Sequence, residues 1–316
     1  QAESEIAAIN MVYGAASAGA RAMTSSSSPG VSLKGEGVSY MSGSDLPGVI
    51  INVQRGGPGL GGIQPSQSDY WQATRAMGHG DHRLVVFAPA TVQEMADLIF
   101  DAFDVADRYR TPVMILADGM LGQMMEPVVL PEAIAPEDLP AKPWATDGHK
   151  NKRPHNITNS LYLTADDLER LNVERFARYE DIKRAEQRAE TFLVDGGSVQ
   201  LEVCGQKCIL TKGDIVHLPP YLPHKFIWLE EGSIWRSAVR AARDEGIKAG
   251  LIRPITLWPF PEDAIKATVP TAKAYLSVEM SMGQMVDDVR LVLAGRAPVE
   301  FYGRTGGVIP TPAEVL

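Results

Sequence analysis

Apolar positions along the first third of the chain alternate between two rhythms. In residues 1–20, Ala8, Val12 and Ala15–Ala16 recur at i, i+3/i+4, which predicts a helix packed on a sheet. Gly14 and Gly19 weaken that helix but let another backbone or a flat ligand approach closely. Residues 22–28 read as a short strand ending in a serine-rich loop, and Pro29-Gly30 then turns the chain. The continuous run GVIINVQ at 48–54 suits a strand buried on both faces. Helices are predicted over 66–77 and, with clear amphipathic spacing, 91–109; strands are predicted over 84–88 and 113–117. Strands alternating with helices of these lengths imply an α/β fold with a parallel sheet covered on both sides.

The pattern then changes twice. Residues 127–154, rich in proline and acidic side chains, predict an arm across the surface. Residues 161–190 return to helix, with Thr164 as N-cap and a dense Arg/Glu pattern that reads as a solvated face. Residues 190–235 alternate like consecutive hairpins, with turns at Gly196-Gly197, Gly205-Gln206 and Lys212-Gly213-Asp214. From 237 the α/β rhythm resumes: a helix over 237–245 closed by Gly246, a buried strand over 250–258, a helix over 261–267, a strand over 274–279 and a helix over 282–293.

Composition narrows the function classes. At 316 residues, 45% hydrophobic and 22% charged, the chain can bury a substantial core and has a two-domain length. A net charge of −9 argues against nonspecific binding of nucleic acid or anionic membranes. No apolar run reaches membrane-spanning length, and no export signal is present. The two cysteines, Cys204 and Cys208, are too few to ligate an iron–sulfur cluster, and their scarcity suggests a reducing, cytoplasmic setting. Because Gln1 lies within a helix start, a further N-terminal segment is expected.

Candidate chemistry gathers at the predicted strand ends. Glu5 in a first helical turn sits well against the helix dipole, either as a plain helix-start acid or as a ligand group. Ser25–Ser28 either cradle a polar ligand or form a loop. Arg55, followed by Gly56, Gly57 and further glycines, lies beyond the carboxyl end of a buried strand, where parallel sheets bind ligands. There it suits a carboxylate or phosphate, the alternative being a solvated arginine in a turn. The Gly78–Arg83 loop has two histidines and an aspartate but reads as polar rather than metal-binding.

Three stretches, QAESEIAAINMVYGAASAGARAMTSSSSPG, QRGGPGLGGIQPSQSDYWQATRAMGHGD and PVMILADGMLGQMMEP, resemble the α subunit of 2-oxoacid:ferredoxin oxidoreductases of the 2-oxoisovalerate/2-oxoglutarate type. The likeness covers about 1–189 and 236–316. It implies a thiamine-diphosphate pyrimidine-type domain over 1–126, a linker arm and helices over 127–189, and a transketolase C-terminal-like α/β domain over 236–316. Glu5 then matches the glutamate that meets the cofactor's aminopyrimidine ring. A carboxyl partner at that ring favours the imino tautomer, whose nitrogen can take the thiazolium proton. Arg55 matches the arginine that meets the 2-oxoacid carboxylate, and Ser27, Gly56 and Gly57 join the cofactor site. Glu279 with Gly283-Gln284 matches another signature, expected to support packing or subunit contact.

The resemblance further implies that a β subunit carries the diphosphate–Mg²⁺ half-site, since Ala117-Asp118-Gly119 imitates its motif poorly. Ferredoxin-like and γ subunits with iron–sulfur clusters would take the electrons, and coenzyme A the acyl group. The family's Tyr-Pro-Ile-Thr-Pro-like loop would precede this sequence. The isolated chain is expected to be inactive.

Residues 190–235 instead resemble part of a cupin, through Glu190, Gly213-Asp214, Pro219, Pro220, Pro223 and His224. The His-x-His that a cupin places before Glu190 is missing, so Glu190, His217 and His224 form only an alternative metal set. They support a competing reading, a small-molecule- or metal-binding hybrid without oxidoreductase activity; an inactive hybrid is a third.

Overall fold

The computed structural model describes residues 1–195, 198–203, 206–211 and 234–316, with backbone only for 76, 190–195, 198–203, 206–211 and 234–236. The first half runs α1 (Glu5–Ser17), β1 (Met23–Ser26), α2 (Ser28–Gly43), β2 (Gly48–Gln54), β3 (Val85–Phe87), α3 (Val92–Tyr109) and β4 (Pro112–Asp118). After a long arm comes α4 (Ala165–Ala185), then the strands β5 (Ala189–Asp195), β6 (Ser198–Val203) and β7 (Gln206–Thr211). The remainder is α5 (Ile234–Asp244), β8 (Leu251–Pro254), β9 (Thr256–Trp258), α6 (Glu262–Thr268), β10 (Tyr275–Glu279), α7 (Met285–Leu293), β11 (Val299–Gly303) and α8 (Pro312–Val315).

The central sheet has the order β1-β2-β4-β3-β9, parallel except for β9 at one edge. Alternate side chains of its strands feed two separate cores. Ile50, Val86 and Met114 pack with Ile9, Val12 and Ala16 of α1 and Val31, Val38 and Met41 of α2. Their neighbours Val49, Ile51, Val85, Val113 and Ile115 pack on the other face with Leu98, Ala102 and Val105 of α3 and Tyr179 and Ile182 of α4. Burying each of the larger aliphatic side chains among them contributes about 1.5–3 kcal/mol. The runs at 48–51 and 113–117 are continuously apolar because both faces are covered.

The region around Pro29-Gly30 differs from the expectation. It does not turn the chain into a loop; it opens the 16-residue helix α2. Ser27 takes the extended backbone of an N-cap and Pro29 falls in the first turn, where its missing N–H costs nothing. The glycines that hide this helix are its packing surface. A Cβ on Gly37 would stand 2.6 and 2.7 Å from Cγ2 and Cγ1 of Ile9, so the α1–α2 contact requires its absence.

Three other expectations need correction. The helix expected over 66–77 is confined to residues 70–76 and ends in π geometry at Gln72–Ala76. Residues before it are instead pinned to the second half: Gln67 exchanges backbone and side-chain hydrogen bonds with Met280 at 2.9 and 3.0 Å, and Gln284 Nε2 donates to the Ser68 carbonyl at 2.8 Å. The single strand expected over 250–258 is two, β8 pairing with β5 and β9 closing the central sheet against β3. Finally, α4 is not solvated all round. Arg175, 4% exposed, donates through Nε to Asp45 Oδ1 at 3.0 Å and through Nη2 to the Gly43 carbonyl at 2.7 Å.

Strands β7-β6-β5-β8 form an antiparallel sheet, as the alternation over 190–211 predicts. The turn residues Gly196-Gly197 and Lys212-Gly213-Asp214, with Cys204, His217, Pro219, Pro220, Pro223 and His224, lie outside the described residues, as does the side chain of Glu190. A small parallel pair, β10–β11, packs with α6 and α7 through Ile265, Val292 and Leu293. No described helix is long and apolar enough to cross a membrane.

Candidate functional site

Parallel topology brings the polar ends of β1 and β2 side by side, with Ser26 paired to Asn52. These carboxyl ends, the start of α1 and the start of α2 define the site. Ser4 caps α1 by accepting from the Ala7 amide at 3.2 Å, which leaves Glu5 as the first helical residue. Glu5 is half-buried and its carboxylate has no hydrogen-bond partner among the described residues. That carboxylate lies over Gly30: a Cβ there would stand 2.8 Å from Glu5 Oε1 and would collide with the Ser26 hydroxyl. Glycine at this one position lets the acid settle on the β1–α2 junction.

Arg55 leaves the end of β2 beside the same junction. Its Nε donates to Ser27 Oγ at 3.1 Å, and Nη1 donates to the carbonyls of Leu60 and of Gly62, the latter at 3.3 Å. The arginine is therefore neither solvated nor spent, because both Nη2 protons remain without a protein acceptor among the described residues. Gly56 is buried, its amide donating to the Gln64 carbonyl at 3.0 Å, whereas Gly57 faces open space. The structure thus places Glu5 and Ser26 on either side of the space above Gly30 and Arg55 on Ser27, while Gly56 and Gly57 follow Arg55 out of the strand, Gly56 toward Gly306.

Beneath them lies a polar network that the spacing of the sequence does not announce. Buried Asn52 accepts from the Ser28 amide at 3.0 Å and donates through Nδ2 to Asp69 Oδ2 at 3.0 Å. Ser28 Oγ donates to the same Asp69 oxygen at 2.6 Å and accepts from the Arg55 amide at 3.1 Å. Gln54 Oε1 accepts from the Asp69 amide at 3.1 Å. The one visible sign of this network is an asparagine inside an otherwise apolar strand. Fully paired buried polar groups of this kind rigidify what they support.

A second buried cation belongs to this floor. Lys34, fully buried on α2 one turn beyond Gly30, donates through Nζ to Thr24 Oγ1 at 2.8 Å and to the Ser25 carbonyl at 3.0 Å. Burial holds its pKa below the ordinary lysine value, and the negative charge of Glu5 pushes back.

Other sequence candidates sit elsewhere. Asp118 Oδ1 accepts from the amides of Met120 and Leu121, so it shapes a turn. Glu279, 3% exposed, accepts from the Ser277 and Ser281 hydroxyls and from the amides of Gln284, Met285 and Val286 at 2.8–3.1 Å, which caps α7. His79 packs edge-on against Tyr40 with ring centroids 6.0 Å apart. The described residues hold no group of three or more His, Cys, Asp or Glu arranged to bind a metal.

This parallel α/β domain thus carries, at the carboxyl edge of its sheet, an acid at a helix start without a hydrogen-bond partner among the described residues and an arginine at a strand end. Residues 1–190 match the family described as pyruvate flavodoxin/ferredoxin oxidoreductase, thiamine diphosphate-binding, and residues 231–315 match pyruvate:ferredoxin oxidoreductase core domain II. The chain belongs to this oxidoreductase family.

The ketoisovalerate oxidoreductase subunit VorB of Methanothermobacter thermautotrophicus is 44% identical over 316 residues, covering all of this chain and 82% of the relative. The 2-oxoglutarate synthase subunit KorA of the same organism is 34% identical over 340 residues, covering all of this chain and 84% of the relative. A 2-oxoglutarate:ferredoxin oxidoreductase from Magnetococcus marinus, solved with 2-oxoglutarate, coenzyme A and succinyl-CoA, shares the fold with a TM-score of 0.71 at 23% identity. This chain is covered completely and spans 55% of that one. The two family matches bracket residues 191–230.

Proposed function

We propose that this chain supplies the pyrimidine-facing half of a thiamine-diphosphate site in a multi-subunit, cytoplasmic 2-oxoacid:ferredoxin oxidoreductase. The observation that carries the reading is the Glu5 carboxylate, half-buried on its Gly30 cradle and without a hydrogen-bond partner among the described residues. Such an acid fits an aminopyrimidine ring, which offers a ring nitrogen and an amino group to a carboxylate. When bound, thiamine diphosphate supplies the carbon nucleophile and electron sink that decarboxylation of a 2-oxoacid needs. Glu5 orients the ring and shares its proton; Ser27, Gly56 and Gly57 border the cofactor; and Arg55 presents its two remaining Nη2 protons to the substrate carboxylate.

The diphosphate and Mg²⁺ then fall to a β-type partner subunit, because Asp118 is committed to its own turn. Iron–sulfur clusters and ferredoxin-like and γ subunits are assigned to the rest of the complex, with coenzyme A as acyl acceptor. The names of the relatives support a branched-chain or dicarboxylic 2-oxoacid as substrate.

The test is Glu5→Gln in the complex reconstituted with its partner subunits. Turnover is expected to fall by about 100-fold or more, as for loss of a general acid–base group. Unchanged turnover would overturn the reading.

A further inference from the structure

The mechanism above leaves a buried charge close to Glu5 unused. Lys34 is completely inaccessible, yet no carboxylate forms an ion pair with it among the described residues. A buried ammonium without a paired anion is expensive to keep, and here it sits under the proposed cofactor acid. The geometry is specific. Gly30 and Lys34 are four residues apart on α2 and so share one face of the helix. Gly30 carries the Glu5 carboxylate and the Ser26 hydroxyl, while Lys34 holds Thr24 and Ser25, the two residues of β1 just before Ser26.

Few other charges compete for Glu5. The adjoining strands β1 and β2 have no ionisable side chain. On α2 the remaining ionisable groups are Glu36 and Tyr40, hydrogen-bonded to each other at 2.7 Å. Tyr13 of α1 is engaged with Ser44 at 2.8 Å, Glu3 precedes the helix, and Arg55 stands on Ser27.

We propose that Lys34 is a positioning residue whose buried charge tunes the proton shared between Glu5 and the aminopyrimidine ring, acting from beneath through the β1–α2 junction. This rests on the cofactor reading of Glu5. A fixed cation opposes every proton bound near it, so Lys34 keeps the bound ring from holding its extra proton too tightly and favours release to the imino tautomer. Without the charge the ring stays protonated to higher pH, and less of the reactive tautomer is present at a given pH. The two hydrogen bonds keep the ammonium from moving toward the acid and neutralising it in a contact pair.

The readout is the pH midpoint of the amino-to-imino change of thiamine diphosphate bound to the reconstituted complex, followed by its ultraviolet circular dichroism. Lys34→Met and Lys34→Gln are both expected to raise that midpoint by about half a unit or more, and Lys34→Arg to leave it near the wild-type value. Thr24→Val removes one of the lysine's acceptors but not its charge, so it should not move the midpoint. Two neutral replacements of different polarity at position 34 keep the test decisive if one of them does not fold.

A shift in Lys34→Met that Lys34→Gln does not share would mean a tether rather than a charge and would overturn the proposal. So would an equal shift in Thr24→Val. Lys34 variants that titrate like wild type, in a complex where Glu5→Gln abolishes the tautomer signal, would overturn the role of Lys34 and leave that of Glu5 standing. A tautomer signal untouched by Glu5→Gln would instead remove the cofactor reading itself.

Discussion

Glu5 and Glu279 are both acids at the mouths of helices, and their surroundings could hardly differ more. Glu279 is buried, and both its oxygens are consumed by two hydroxyls and three backbone amides at the start of α7. Glu5 is half-buried, sits inside the first turn of α1 after Ser4 has taken the capping role, and meets no donor among the described residues. A carboxylate whose lone pairs are all satisfied does structural work. One placed beside a polar network, with its own lone pairs open, is available to a ligand. Helix position and residue type are the same in outline; the count of donors separates the roles.

The largest expected effects cross between these two acids. Glu279→Ala leaves three amides and two hydroxyls without their acceptor and should destabilise the protein by about 3 kcal/mol or more, seen as a fall in denaturation midpoint. Thiamine diphosphate affinity of the folded fraction should stay within about twofold of wild type. Glu5→Ala should do the reverse, abolishing productive cofactor binding while changing stability by no more than about 0.5 kcal/mol. A large loss of stability in Glu5→Ala would break the contrast, since it would reveal a structural partner for that acid.

The next effect concerns the helix contact that places Glu5. Gly37→Ala pushes a Cβ into Ile9, which is 1% exposed and has no room to retreat. It should cost about 1–3 kcal/mol by overpacking. Ile9→Ala, which removes both γ carbons, should cost less in the Gly37→Ala background than in the wild type, and a double-mutant cycle of stability measurements gives the coupling. Strictly additive losses would show that the two helices do not meet through this pair.

Arg55 sharpens the functional side of the comparison. Arg55→Met removes a charge-assisted contact to the substrate carboxylate and should raise KM for the 2-oxoacid about tenfold or more, with a smaller change in kcat. Arg55→Lys keeps the charge but not the fork and should recover only part of the affinity. A kcat loss with KM unchanged would place the arginine at the cofactor or loop rather than at the substrate.

How much of this was legible depended on how local the physics was. Strands β2 and β4 and helix α3 are written in runs and periods of a few residues, and their predicted spans hold almost to the residue. Helix α2 was not legible because its sequence, SPGVSLKGEGVSYMSG, spends helix propensity on glycines that only make sense against Ile9 and Glu5. Glu5 and Arg55 stood out through the family resemblance, and the strand-end position of Arg55 agreed with it. Asn52, Asp69 and Lys34 were overlooked because their partners lie 9–41 residues away and no spacing rule joins them. The split between β8 and β9 was equally hidden: one apolar stretch serves two sheets, and nothing within it marks the change of partner.

The smallest effect tests a third kind of ionisable group, a half-buried histidine whose ring is held neutral mainly by desolvation. His82 lies in the loop before β3, and burial holds its pKa below the ordinary value of 6.5, with Arg83 and His79 adding to the depression and backbone contacts to His79 and Gly80 opposing it. The folded protein therefore prefers the neutral ring. That preference stabilises fully above the unfolded-state value near 6.5 and is lost as pH falls from there through the lower folded-state value. His82→Gln has no ring to protonate, so its melting temperature should fall less between pH 7.5 and pH 5 than that of the wild type. The difference should be on the order of 1 °C, small because a single surface loop is involved. Parallel pH profiles for the two proteins would mean that His82 reaches water in the folded state, and its burial would then be no guide to its charge.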